Sequence, residues 1–152
     1  MAAMAVAPGG DSGALRGMAA LRFAKLFKAS WASDATITWM GGEFGNLEVM
    51  DLPHIGNGFC QERARIPYDV ADARGLRFKQ LEMFEAATNR AERALGWLSA
   101  RERTVLAQDE QAKILVFVRG RCLFAFNFHG SQAQESFRVS ITSDVSLSPE
   151  LS

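Results

Sequence analysis

The chain has 152 residues, 48% of them hydrophobic, and its 17 basic residues balance 17 acidic ones. This balance argues against nucleic-acid binding, which usually shows as a basic surplus, and no apolar run is long enough to span a bilayer. The length allows one core of moderate size. Two cysteines cannot form a disulfide framework or a zinc site alone, and the sequence contains no phosphate loop or metal-ligand cluster, so we expect no metal and no cofactor.

The first predicted element is a helix from Ala14 to Ser30. Its apolar residues recur at helical spacing and form one stripe, made of Leu15, Ala19, Phe23 and Leu26. Asp11 or Ser12 is the expected N-terminal cap. The stretch from Met1 to Leu26 is rich in Ala and has Asp11 as its only acid, a composition that also suits an organelle transit peptide. We expect residues 1–13 to be a short disordered leader.

A strand is predicted next, because Thr36-Ile-Thr-Trp39 consists of residues that favour β structure. Gly41-Gly42 ends it, and acidic and aromatic residues follow, among them Glu43 and Phe44. In barrels of alternating strands and helices, chemistry lies on the loops after the strands. This stretch is therefore a candidate active-site rim. The alternative is an ordinary glycine turn with solvated acids.

Residues 52–72 are predicted to be irregular, because Pro53, Gly56, Gly58 and Pro67 prevent a long helix. A long helix from Ala73 to Leu95 should follow. Its apolar residues repeat at three and four positions, and Gly96 is the expected stop signal.

The pattern then changes from helical to alternating. We predict strands at 104–107, 114–118 and 122–128, with the last two forming an antiparallel hairpin, and a further strand at 137–139. In the hairpin, Phe124 and Phe126 share one face, which the long helix or the Trp97-Leu98 step should cover. Leu123 lies on the other face.

Several segments carry a resemblance to a known family. Lys113 to His129 is similar almost residue for residue to the family's K-I-I-V-F-E-R-G-x-L-V-F-V-F-N-F-H segment, and the stretch from Trp39 to Pro53 matches its F-M-G-N-E-F-G-H-P-E-W-L-D-F-P segment at eight positions. Arg16-Gly17 and the helix that ends at Gly96-Trp97-Leu98 match further segments. On these residues the chain resembles the C-terminal part of 1,4-α-glucan branching enzymes, which belong to the α-amylase-like enzymes.

The resemblance implies a fold of α/β plus β class. Residues 14–100 would be the last helix, strand and helix of a (β/α)8 barrel, and residues 101–152 would begin a C-terminal antiparallel all-β domain. The implied partner is an α-glucan such as amylose, amylopectin or glycogen. The missing catalytic portion and a second copy of the chain are further candidates. Nucleic acid and membrane are not expected. The implied location is the cytoplasm or a plastid.

The family's catalytic acids lie upstream of the matched residues, so the resemblance assigns no catalytic residue here, and we expect the isolated chain to be inactive. The candidate substrate-binding residues are Trp39, Glu43, Phe44, Phe59 and Trp97. One alternative is a non-catalytic glucan-binding or scaffolding module. Exposure of the four aromatic side chains would favour this alternative, and burial of all four would favour the enzyme fragment. A structural protein whose barrel edge docks a partner is a third possibility.

Overall fold

The computed structural model describes residues 12–32, 34–46, 50–73 and 78–140. Helix α1 is Ser12–Phe27, and it continues directly as a π-helical turn, Lys28–Ala32. Two short 3₁₀ turns, Ile55–Asn57 and Glu62–Ala64, precede α2 (Tyr68–Asp72). The long helix α3 is Phe78–Leu95, and a 3₁₀ turn, Trp97–Ser99, leads to three strands: β1 (Arg103–Asp109), β2 (Ile114–Arg119) and β3 (Cys122–Asn127).

Contacts between residues divide the chain into two compact units. The described residues up to 25 and from 37 to 89 form the first, called here the helical unit. Residues from 26 to 36 and from 90 onward form the second, called here the sheet unit. Helices α1 and α3 each contribute residues to both units. The predicted domain boundaries at 13 and 100 stay a prediction.

The helical unit has a small aromatic core. Phe44 is 1% exposed and clusters with the buried residues Ala71 and Phe78, and Ile66 packs against the cluster. The rings of Phe44 and Phe78 meet edge to face with centroids 6.1 Å apart. Such aromatic pairs stabilise a core beyond the apolar area that they bury. The buried ring of Phe44 therefore attaches the preceding glycines to this core.

The sheet is antiparallel, with the strand order β1-β2-β3. The central strand β2 has buried residues on both of its faces, as its uninterrupted apolar sequence predicts. The predicted hairpin is confirmed, with Phe117 paired to Phe124 and Arg119 to Cys122. The pairing of β1 with β2 shifts register between Val105 and Ala107, where a bulge adds one residue to β1.

The predicted aromatic face of the hairpin is confirmed. Phe126 is 4% exposed, whereas Leu123 on the opposite face is 42% exposed. Trp97 covers Phe124 with ring centroids 5.5 Å apart, as expected of the Trp97-Leu98 step. Phe126 is covered by Phe27, from the end of α1, at 5.1 Å. This second cover was not predicted from the sequence, because Phe27 and Phe126 are 99 positions apart and a local pattern does not show which distant element packs on a face.

The π-helical turn displays Trp31. Ser30 is fully buried there, and its hydroxyl donates to the carbonyl of Leu26 at 2.8 Å. This bond satisfies a backbone oxygen in the widened turn. Trp31 packs edge-on against Phe117 with ring centroids 4.8 Å apart. The predicted helix from Ala14 to Ser30 is confirmed in outline, although its last turn is π rather than α.

Two predicted strands are wrong. Residues 36–39 have no regular structure, and residues 136–140 have none either. A strand requires a neighbour to take its backbone N–H and C=O groups, and β-forming side chains alone do not provide one. Among the described residues, the first part of the chain therefore contains helices and no strand. The described β structure is the antiparallel sheet.

The predicted stripe of α1 is wrong at its start. Leu15 is 46% exposed and Ala19 is exposed, whereas Met18 is 1% exposed. The helix also begins at Ser12, two residues earlier than predicted. The predicted long helix begins at Phe78 among the described residues and ends before Gly96, as predicted. Of the predicted leader at 1–13, residues 12 and 13 belong to α1 and residues 1–11 lie outside the described ones. The Asp11 cap and residues 74–77 of the predicted long helix also lie outside them, and Ala73, its predicted first residue, is not helical.

No described helix is both long enough and apolar enough to cross a membrane.

Candidate functional site

The stretch from Trp39 to Asn46 is a compact run of turns, called here the glycine turn. Backbone hydrogen bonds close these turns. The shortest run from the N–H of Gly42 to the carbonyl of Trp39 at 2.8 Å and from the N–H of Asn46 to the carbonyl of Gly41 at 2.9 Å. Gly41 has a φ of +85°, and a Cβ there would lie 2.7 Å from the Cβ of Asn46. Only glycine fits this position without a shift of the backbone.

A network of polar side chains holds the glycine turn on the helices. The ammonium of Lys25 donates to the carbonyl of Gly42 at 2.7 Å and pairs with the Glu85 carboxylate at 2.9 Å. The other oxygen of Glu85 accepts from the hydroxyl of Thr38 at 2.9 Å. Lys25 and Glu85 are partly buried, so this pair is less screened than an exposed one. The turn is therefore held at Gly42 and at Thr38, the residue that precedes it.

The glycine turn separates its two aromatic residues. Phe44 is buried in the helical core and contacts Tyr68 and Phe78, so its ring is a packing group. Trp39 is 64% exposed and presents a free face. Glu43 lies between them and is partly buried. Of the three candidates on this turn, Trp39 and Glu43 are accessible to solvent and Phe44 is buried.

A second candidate region, residues 51–60, is folded by its own polar groups. The Asn57 side chain donates to the carbonyl of Leu52 at 3.0 Å and accepts from the backbone N–H of His54 at 2.9 Å. The Asp51 carboxylate accepts from Arg63 at 3.4 Å. A hydrogen bond from Asn57, followed by that from Arg63, holds the pKa of Asp51 below its ordinary value of 3.8. Asp51 is thus an ionised structural group at neutral pH.

Phe59 is displayed by this region. Its backbone has a φ of +55°, in the left-handed region, and its N–H donates to the carbonyl of His54 at 3.0 Å. The ring is 63% exposed. A left-handed conformation at a non-glycine residue carries strain, and such residues cluster at functional sites. Phe59 is therefore a second aromatic face available to a ligand.

Trp97, the remaining candidate, belongs to the sheet unit and is 3% exposed. Its ring packs against Phe124, and its buried indole N–H has no hydrogen-bond partner among the described residues. The candidates therefore divide by burial: Trp39 and Phe59 are exposed, and Phe44 and Trp97 are buried. Because two of these side chains are exposed and two are buried, burial favours neither the enzyme fragment nor the glucan-binding module.

No group of three or more His, Cys, Asp or Glu side chains that could hold a metal ion occurs in the part of the chain that the structure describes. One concave feature of the sheet unit was not predicted from the sequence. A cavity of about 390 Å³ lies beside the turn between β1 and β2, and it includes Trp31 and Phe128 in its wall. The sequence pattern gives little indication of this cavity, because Trp31 and Phe128 are 97 positions apart.

The alpha-amylase C-terminal all-beta domain is the family whose model matches the chain, over residues 105–145. This range covers most of β1 and all of β2 and β3. The antiparallel arrangement of these strands agrees with the all-beta description.

The chain is also similar to curated enzymes over four-fifths of its length. It is 36% identical over 124 residues to a 1,4-alpha-glucan-branching enzyme of Dictyostelium discoideum. It is 31% identical over 124 residues to the chloroplastic/amyloplastic 1,4-alpha-glucan-branching enzyme of Oryza sativa subsp. japonica. It is 32% identical over 126 residues to a 1,4-alpha-glucan-branching enzyme of Saccharomyces cerevisiae. These matches cover 82–83% of the chain but only 18%, 15% and 18% of the respective relatives.

Proposed function

Since the chain is homologous to the C-terminal region of 1,4-alpha-glucan-branching enzymes, we propose that it acts as the C-terminal portion of such an enzyme, which forms α-1,6 branches by transferring glucan chains. The observation that carries this proposal is the 31–36% identity to three branching enzymes across 82–83% of the chain, because it extends over both units. Cytoplasm or plastid is the location that goes with this proposal.

In this proposal the chain supplies no catalytic carboxylate. Retaining glycosyl transfer requires two carboxyl groups about 5 Å apart, one as nucleophile and one as acid and base. The family resemblance places these acids before the residues that this chain matches. The role left to the chain is to complete the scaffold and to contact glucan, with Trp39 and Phe59 as the aromatic faces and Glu43 as a neighbouring acceptor.

A chain fusion tests the enzyme proposal. The chain would replace the matching C-terminal part of the Dictyostelium discoideum enzyme, and branching would be followed by the change in the iodine-stain spectrum of amylose. We expect the fusion to be active, and both the chain alone and the relative without its C-terminal part to be inactive. A fusion that melts cooperatively but leaves the spectrum unchanged would contradict the proposal.

Activity of the chain alone would contradict the assignment of catalysis to other residues. The variant Glu43→Gln then decides what Glu43 does. Activity that survives this change would come from another group of the chain, and activity that is lost would make Glu43 a catalytic residue.

A second candidate function is a non-catalytic α-glucan-binding or scaffolding module, which the exposure of Trp39 and Phe59 favours. Aromatic side chains bind sugars through the faces of their rings, and the rings of Trp39 and Phe59 are both exposed. In affinity electrophoresis through amylopectin, we expect Trp39→Ala and Phe59→Ala to migrate faster than the wild type. Met83→Ala is the matched control, because Met83 is an equally exposed apolar residue of the helical unit, at 63%. Equal migration of all three variants would contradict the assignment.

A further inference from the structure

We propose that the cavity beside the β1–β2 turn is a second binding site for a short α-glucan, separate from the candidate residues on the glycine turn and the 51–60 region. The inference rests on the proposed function for its ligand class. The cavity itself is defined by the sheet unit alone. Its wall includes Trp31, Phe128 and four polar residues of the turn, namely Gln108, Asp109, Glu110 and Lys113.

The size and wall of the cavity suit a small oligosaccharide. Its volume of about 390 Å³ lies within the range of small-molecule sites, about 300–1,000 Å³. Two aromatic residues, Trp31 and Phe128, lie in the wall together with aliphatic ones. The apolar C–H face of a pyranose ring packs against such surfaces, as it does against any aromatic face that is left accessible.

The polar groups of the cavity suit hydroxyl groups rather than an anion. The carboxylates of Asp109 and Glu110 accept hydrogen bonds, the ammonium of Lys113 donates, and the amide of Gln108 does both. Two carboxylates against one ammonium give a net negative charge, which disfavours phosphate or carboxylate ligands. A neutral ligand that is rich in hydroxyl groups can use all four residues.

The cavity is held in place before any ligand binds. The Asp109 carboxylate accepts from the backbone N–H groups of Gln111 and Ala112 at 2.9 and 2.8 Å, which orders the turn. The backbone carbonyl of Lys113 accepts from the N–H of Phe128 at 2.7 Å. Because the backbone of the turn and the Asp109 carboxylate are ordered in advance, binding costs less conformational entropy.

Two features of the backbone at this cavity are unusual. Trp31 lies in a π-helical turn, a rare conformation that is frequent at functional sites. Lys113 has a φ of +58°, in the left-handed region, although it is not a glycine. Both residues line the same cavity. Strained backbone positions that converge on one concave surface favour a ligand-binding role over simple packing.

The test is a titration of the full chain with maltotriose, followed by NMR. We expect the amide signals of residues 108–115 and the indole N–H signal of Trp31, assigned with the variant Trp31→Phe, to shift in a saturable manner. Gln108→Ala should weaken this binding about fivefold through the loss of one hydrogen bond. Gln111→Ala is the matched control, an exposed glutamine of the same turn outside the cavity wall, and it should bind as the wild type does.

Three results would overturn the proposal. The first is a set of shifts confined to Trp39 and Phe59, or no shifts at all. The second is unchanged binding by a folded Gln108→Ala variant. The third is a stronger response of the same signals to choline, which would indicate a cation site built from aromatic and acidic groups. None of these results affects the fusion assay, so failure of this site is distinguishable from failure of the proposed function.

Discussion

Arg119 is the residue on which the sheet unit depends most. It ends β2 and is 0% exposed, although its charge would ordinarily keep it in water. Burial, and then the neighbouring charge of Arg103, lower the pKa of its guanidinium. The side chain is compensated by four backbone carbonyls and one carboxylate at 2.9–3.1 Å, those of Ala29, Ser30, Leu98, Ala100 and Asp34.

The planar guanidinium matters as much as its charge. Bonds from Nε and from both Nη atoms leave in fixed directions, which a lysine ammonium cannot reproduce. We expect Arg119→Lys to lower the free energy of unfolding by about 3 kcal/mol or more, because several buried carbonyls lose a charged donor. Arg121→Lys is the control, since Arg121 is exposed in the next turn. Urea unfolding measures both, and equal midpoints for the two variants would contradict this role.

At the scale of elements, the hairpin β2–β3 is asymmetric. One face carries stacked aromatic rings, with Phe117 lying 5.3 Å from Phe124 and 6.0 Å from Phe126. Phe27 and Trp97 close this face from outside the sheet. The stability of the hairpin therefore depends on its covered face far more than on the side that carries Leu123.

Truncation on the two faces should differ accordingly. Phe126→Ala removes a buried ring and should cost about 3–5 kcal/mol, which is a large share of the stability of a domain of this size. We expect this variant to be largely unfolded or insoluble. Leu123→Ala, at a position 42% exposed, should cost less than about 1.5 kcal/mol. Thermal unfolding followed by circular dichroism checks both, and the reverse order would show that the covered face is assigned wrongly.

At the scale of the whole molecule, the extended segments differ in whether their backbone N–H and C=O groups have hydrogen-bond partners in a neighbouring strand. β2 has a hydrogen-bonded strand on each side. Residues 36–39 have no strand to pair with among the described residues, and Ile37 is 83% exposed. The backbone N–H and C=O groups of such an unpaired segment can pair with another strand.

Hydrogen exchange should separate these segments. We expect the amides of residues 114–118 and 122–126 to exchange far more slowly than those of residues 36–40, because local opening is easiest where backbone hydrogen bonds are absent. The measurement is native-state exchange at neutral pH, read by NMR or mass spectrometry. Equal protection of residues 36–40 would mean that they pair with another chain in solution, for example in a homo-oligomer.

The sequence by itself determined the features that depend on local pattern. The uninterrupted apolar run of residues 114–118 and the alternation of residues 122–128 predicted two strands and the covered face. The helical repeat with Gly96 predicted the end of α3. Segments such as Lys113 to His129 also identified the homologous family. For the candidate site, the sequence located Trp39 and Phe59 but could not separate them from the buried Phe44 and Trp97, because an aromatic residue serves equally well in a core or on a surface.

Only the tertiary structure decided which distant elements meet. It placed Phe27 over Phe126, buried Arg119 among carbonyls from residues 29, 30, 98 and 100, and joined Trp31 to Phe128 in one cavity. It also left residues 36–39 without strand structure. A local pattern shows which side of an element is apolar, but hydrogen-bond partners and covering layers come from residues far away along the chain. Their proximity is a property of the fold as a whole.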